Sequence, residues 1–555
     1  MSTRQPTAID LLADKHLDAE VALSPLWMTS LGITERQDEY DDFSPAGLDQ
    51  VDAVKRRTLD ELASTAIADR TDEVTAAALR ERLGLGVETH AAGADLADIS
   101  NIASGLHAIR DGYDLMPTAT DADWATIARR LKAVPNAMTQ WLQTQLAGVE
   151  RGLRPAIRQV DAVAEQCQGW IEPDGFFPGL LNQAPQDCPE VTAATRDRLA
   201  DGVEIACAAT AQLVQTLRDK VRPLATPEDA VGEERYQLAS RDFLGTTLDY
   251  AATYQWGLEQ VAAIEQMEAE ICSRLRPGGT VAETKQALDA DPAHQLHGTE
   301  AMRGWMQARA DQVMAELDHV HFEIPEPARR IECLIAPTHD GGIYYTEPTD
   351  DFSRPGRMWW SVPQSQTTFN TWRELTTIHH EGVPGHHLQI SQAISNKELN
   401  KWRRNGVWVS GHGEGWALYA EQLMADLGYL DDAAMLGMLD GQAMRAVRVV
   451  IDIGLHCGYD APAAAGGGSW TFDKALDFFN KHVAMDPAVA RFEVTRYFGW
   501  PGQASAYKVG QRVWTDLRDE ARRRQGAQFS LKDFHSRALN LGALGLDTLR
   551  EAVLG

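Results

Sequence analysis

His379-His380-Glu381-Gly382-Val383-Pro384-Gly385-His386-His387 is the stretch on which the reading of this chain turns. Four of the sixteen histidines of the chain fall within it, beside a glutamate. Imidazole is the commonest side chain for holding a transition metal, and a carboxylate next to the metal can activate water. A His-rich surface helix is the plain alternative. It leaves the Pro384-Gly385 pair inside a helical run unexplained.

The standard zinc-peptidase helix reads His-Glu-x-x-His, with both histidines on one face. Here the second histidine comes two residues late. On an unbroken helix His386 would sit about 240° around from His380, and His387 would be nearly in line two turns on. Pro384 removes a helical hydrogen bond and Gly385 permits an unusual backbone, so the helix is expected to kink or bulge between the histidines. A two-residue bulge brings His386 back beside His380. His380 and His386 are therefore the expected ligands, with His387 as the alternative and Glu381 as the expected general base.

A zinc site with an open water position needs a third protein ligand. Gly411-His412-Gly413-Glu414-Gly415-Trp416-Ala417-Leu418-Tyr419-Ala420-Glu421 offers it. Glu414 and Glu421 are seven residues apart, on one face of an otherwise apolar helix. Buried acids of this kind are costly unless they meet a cation. Glu414 is the expected ligand, and Glu421 the partner that orients a histidine.

Further on, Arg445, Arg448, Asp452 and His456 form a polar stripe on an apolar helix, at offsets of three, four and four. The arginines could bind a substrate carboxylate, His456 could steady an oxyanion, and Asp452, like Glu421, could orient a residue of the site. A buried salt-bridge network is the alternative. Tyr497 and Tyr507 flank a Gly/Pro-rich turn, Gly499-Trp500-Pro501-Gly502, and are candidate donors to a tetrahedral intermediate.

Upstream, Arg330–Ala336, Gly342–Thr346 and Arg357–Val362 read as strands, which predicts a small antiparallel sheet beside the metal-binding helix. Its Tyr344-Tyr345 strand could hold an extended peptide. Thr371-Trp372-Arg373-Glu374 is a capping-box pattern and predicts a helix start. Residues 1–325 read as helix after helix, for example over 51–66, 123–153, 192–221 and 248–275. Pro135 and Gly175-Phe176-Phe177-Pro178-Gly179 are among the expected breaks. The fold class is thus mainly α: a helical scaffold lobe (1–325), a small sheet (326–370) and a helical catalytic lobe (371–555), with 326–555 able to form one unit.

The chain has 555 residues and a formal net charge of −28, which disfavours a nucleic-acid partner. Six scattered cysteines without a C-x-x-C pair suggest reduced thiols in a cytoplasm rather than a cysteine zinc site. The sequence shows no secretory signal and no run apolar enough to span a membrane.

The motifs His380-Glu381-x-x-Pro384-Gly385-His386-His387, Glu414-Gly415-Trp416-Ala417-Leu418-Tyr419-Ala420-Glu421, Asp452-x-Gly454-x-His456 and Tyr497-x-x-x-Pro501-Gly502-Gln503 occur in that order. In this the chain resembles a large bacterial family catalogued as a domain of unknown function. That family looks like a distant branch of the gluzincin metallopeptidases, with a helical fold similar to carboxypeptidase Taq. The resemblance implies zinc on His380, His386 and Glu414, with Glu381 as general base. The expected function is a zinc-dependent peptidase or amide hydrolase, a carboxypeptidase or dipeptidase acting on small peptides. A non-catalytic gluzincin-like protein that binds peptides or a metal is the rival expectation.

Overall fold

The computed structural model describes residues 4–336, 342–363 and 365–555. Helices dominate, and the described strands form only a two-stranded and a three-stranded sheet. The long helices follow their apolar spacing: Pro45–Leu62, Asp121–Glu150, Ala193–Thr216, Tyr250–Leu275 and Thr299–Leu317. One expected break is not a break: Pro135 lies inside the Asp121–Glu150 helix. The break at Gly175 does form, between the Ile157–Trp170 and Phe176–Asp187 helices, with Pro178 in the first turn of the second, where a missing N–H costs nothing.

Three apolar cores organise the chain. One gathers Ile9, Leu79, Ile264 and Leu317 with Trp416, Val450 and Trp514. It therefore joins the N-terminal helices to those after residue 371. A second core belongs to the helices between about residues 99 and 221, around Trp124, Trp141 and Val160. The third lies under the sheet, where Met302, Met306, Met358 and Trp360 meet Ile378.

The sheet contains β2 (Ile331–Ile335), β3 (Ile343–Thr346) and β4 (Gly356–Trp360), after a short β1 (Gln295–His297). It is mixed, not antiparallel as expected. β4 is central, parallel to β2 and antiparallel to β3. Alternation along a strand shows which face is buried but not which neighbour it takes, so pairing direction was not legible. β3 is an edge among the described strands. β1 pairs with β5 (Thr368–Asn370), which leads directly into the Thr371–Thr377 helix. Asn370 takes the N-cap position without a side-chain capping bond, and Thr371 Oγ1 donates to His294 O at 3.1 Å. The capping box is not formed, so Glu374 is left to face elsewhere.

Candidate metal centre

Between Thr371 and Ser395 the chain makes two helices where a kinked one was expected. Regular helix ends at Thr377 and widens into a π turn over Ile378–Gly382. Val383 is extended, the Val383–Pro384 bond is cis, and a new helix begins at His386. Gly385 lies at the crossing. A Cβ there would overlap the carbonyl oxygens of His379 and His380, so only glycine fits. The freed carbonyls do not stay bare. The Trp416 indole N–H donates to Pro384 O at 2.8 Å and to Gly385 O at 3.3 Å. Trp416 is itself fully buried, so its loss would cost roughly 3–5 kcal/mol.

This reversal brings the His380 and His386 rings to 4.9 Å between centroids, almost perpendicular. Glu414 arrives from the Ser410–Asp426 helix. Its Oε2 is 3.3 Å from His380 Nε2 and 3.4 Å from His386 Nε2. One ligand atom from each of His380, His386 and Glu414 lies within 4.8 Å of the others. Gly415 helps to place Glu414, because its Cα rests against the backbone of Gly510 with no room for a side chain. Two imidazoles and a carboxylate fit a zinc-like divalent ion with a position left open. The buried His386 Nδ1 has no hydrogen-bond partner among the described residues.

Glu421 does what its spacing predicts. Its Oε1 accepts from His380 Nδ1 at 2.7 Å, and Oε2 accepts from the Thr376 hydroxyl. That fixes the ring and leaves Nε2 facing Glu414. Burial works against a charge on His380, but the bonds to Glu414 and Glu421 outweigh it and push its pKa up to about 10. Burial alone would raise the Glu414 carboxyl, yet the hydrogen bonds from His380 and His386 hold it well below the usual range. The two carboxylates that face His380 favour positive charge at this point of the pocket. Glu381 is buried beside the cluster, and burial raises its carboxyl despite the nearby histidines.

His387 is not part of the cluster. Its Nε2–H donates to Ala328 O at 2.8 Å and its Nδ1 accepts from the Tyr345 hydroxyl at 3.0 Å. Burial lowers it to about 4, so it stays neutral and structural. His379 similarly bonds Val383 O at 3.1 Å.

The cluster opens on a cavity of about 720 Å³, which Tyr344, Tyr345, Arg445, Arg448 and Tyr507 also line. The two arginines differ. Arg448 is committed to Glu493 at 2.7 Å and to the Tyr497 hydroxyl at 2.9 Å. Among the described residues Arg445 makes a single hydrogen bond, to Gly441 O at 3.4 Å, and its buried Nε has no hydrogen-bond partner. Tyr507 lies on the cavity wall under both guanidiniums, 4.9 Å from Arg448 and 5.8 Å from Arg445.

Three expected site residues are elsewhere. Tyr497 is fully buried behind the wall, donating to Glu493 Oε2 at 2.7 Å. His456 donates from Nε2 to Tyr497 O at 2.9 Å and accepts at Nδ1 from Val231 N at 3.3 Å. Asp452 accepts from the Tyr236 hydroxyl at 2.8 Å and from Gly502 N at 3.1 Å. The Arg445–His456 stripe is therefore split along its length. Its first turns face the cavity, while its last turns carry a buried network that ties the Asp432–His456 helix to the turn at Gly502. Helical spacing reports a shared face, and a 25-residue helix passes more than one environment along that face.

Sequence reasoning overlooked Trp408, Trp416 and Thr376. Trp408 is half exposed at the cavity rim, with its ring 5.8 Å from that of His386. Nothing in the local pattern marks these three, because their partners are 22 to 45 residues away in the chain.

No curated protein matches the chain. A solved structure from Colwellia psychrerythraea, described as a "putative lipoprotein", superposes with a TM-score of 0.84 at 22% identity, covering 98% of each chain. A second, from Shewanella oneidensis and described as a "putative lipoprotein of unknown function", gives 0.73 at 17% identity, covering 99% of this chain and 100% of that one. At these identities the likeness is one of fold. Residues 25–553 match a family described as "Bacterial protein of unknown function (DUF885)", and over that span, which takes in the whole His-His-Glu cluster, the chain belongs to it.

Proposed function

We propose that the chain is a zinc-dependent peptidase or amide hydrolase, distantly akin to gluzincins of the carboxypeptidase Taq type, acting on short peptides. The convergence of His380, His386 and Glu414 beside buried Glu381 carries this reading. Zinc held there would supply Lewis acidity, bringing the pKa of a water toward neutrality. Glu381 takes the proton from the attacking water and returns it to the leaving nitrogen. Its burial suits both steps, since a raised carboxyl gives and takes a proton near neutral pH more readily than an exposed one. Glu421 keeps His380 oriented through the cycle. Tyr507, the tyrosine on the cavity wall, is placed to donate to the oxyanion, and Arg445 to pair with a substrate carboxylate. Arg448 stiffens the wall through Glu493. The β3 edge, with Tyr344 and Tyr345 on the same cavity, gives an extended peptide backbone partners.

The test is metal analysis of the purified chain, followed by hydrolysis of a mixed peptide library. Glu381→Gln should retain metal and lose about 10²–10⁴ of the cleavage rate. A wild type that holds zinc and cleaves nothing would leave a peptide- or metal-binding protein and end the enzyme reading.

A further inference from the structure

The charges that line the cavity mostly neutralise one another. Arg373 donates to Asp440 at 2.6 Å and lies 3.5 Å from Asp289. Arg448 and Arg496 share Glu493. Glu374 is different. It lines the cavity, yet among the described residues no hydrogen bond or ion pair reaches its carboxylate. Its neighbour Arg373 directs its guanidinium to the two aspartates instead. A half-enclosed carboxylate without a partner is costly, and burial pushes Glu374 up to about 7.

Its position relative to the metal ligands follows from the helices. Glu374 lies on the Thr371–Thr377 helix and Glu381 on the π turn that continues it; both line the cavity, roughly 10 Å apart along the helical path. The Asp432–His456 helix lies alongside. Gly437 packs on the backbone of Trp372 and Arg373, and Gly441 lies against Glu421, which holds Thr376. Four residues on, the charge of Arg445 reaches Glu381. The cavity thus has Glu374 toward one end, the metal ligands and Arg445 in the middle, and the Arg448–Glu493 pair beyond.

We infer that Glu374 is a specificity-determining residue, receiving a cationic nitrogen of the bound peptide roughly 10 Å from Glu381. Calling that peptide a substrate rests on the peptidase reading; the binding itself does not. A protonated α-amino end and a lysine or arginine side chain present the same chemistry. About 10 Å corresponds to roughly three extended residues, so either source can reach.

Calorimetric titration of the full chain with zinc tests this, using Ala-Ala-Ala, acetyl-Lys-Ala-Ala and acetyl-Ala-Ala-Ala. Glu381→Gln serves as the parent, to prevent turnover. At least one cationic peptide should bind about tenfold more tightly than acetyl-Ala-Ala-Ala, and Glu374→Gln should remove that difference. A gain with Ala-Ala-Ala identifies the amino terminus as the source; a gain with acetyl-Lys-Ala-Ala identifies the side chain. No cation preference in the parent, or a preference that persists in Glu374→Gln, overturns the inference. Should Glu374→Gln not fold, Glu374→Asp takes its place and should weaken the preference, and an unchanged preference there overturns it too. A chain without metal or cleavage that still shows Glu374-dependent preference refutes only the peptidase reading. Cleavage that is indifferent to the cation refutes only this inference.

Discussion

Replacing Glu421 tests the metal centre without touching a ligand. Glu421 is buried, and its Oε1 accepts a hydrogen bond from His380 Nδ1–H at 2.7 Å. A charge-assisted hydrogen bond of this kind contributes about 1.5–3 kcal/mol, or roughly a factor of 10 to 150. Outer partners of metal-bound histidines typically account for about 10–100-fold in affinity. Glu421→Gln keeps a carbonyl acceptor for His380 and turns an amide N–H toward the Thr376 hydroxyl, which can rotate to accept it, but loses the charge, so zinc affinity should fall about tenfold. Glu421→Ala leaves His380 Nδ1–H and the Thr376 hydroxyl without an acceptor and should lose about 100-fold. Glu414→Gln removes a ligand and should lose more than either. The assay is competition against a chromophoric chelator at neutral pH, with each variant's melting temperature measured metal-free. Zinc affinity in Glu421→Ala equal to wild type would refute the reasoning, since His380 would then need no orienting carboxylate.

Three further outcomes are expected. His387→Ala should keep the metal stoichiometry while destabilising the fold by about 2–4 kcal/mol, because Ala328 O and the Tyr345 hydroxyl lose a buried partner; loss of metal in a folded variant would make His387 a ligand. Gly385→Ala should abolish metal binding and lower the melting temperature, as its methyl meets the His379 and His380 carbonyls; normal zinc content would show that the crossing relaxes. Asp452 has its carboxyl raised from 3.8 to about 6, chiefly by burial. The folded chain keeps that proton after the unfolded chain has lost it, so this contribution is full below about 4 and is lost as pH rises to about 6, on the order of 3 kcal/mol. The stability of wild type relative to Asp452→Asn should therefore fall across that window and level off above it, and a flat difference curve would contradict the assignment.

Much of the centre was legible in the chain itself. His380, Glu381, His386, Glu414 and Glu421 stand out because buried charge in an apolar setting demands a partner, and that demand is a property of composition and spacing. The helical character was equally legible, since apolar periodicity is local. The direction of pairing in the sheet, the choice of His386 over His387, and the separation of Tyr507 from Tyr497 were not. Each depends on what a residue meets across the fold. His387 is excluded by a carbonyl 59 residues upstream, and Tyr497 by a glutamate and an arginine that bury it behind the wall.

The sequence by itself determined that a proline and a glycine interrupt a helix between two candidate ligands. Only the tertiary structure decided how that interruption resolves: a π turn, a reversal, and a second helix starting at His386, held by Trp416 from another helix. The physical reason is that backbone propensity states where a helix cannot continue, whereas the path taken instead is selected by the distant groups that satisfy the freed carbonyls.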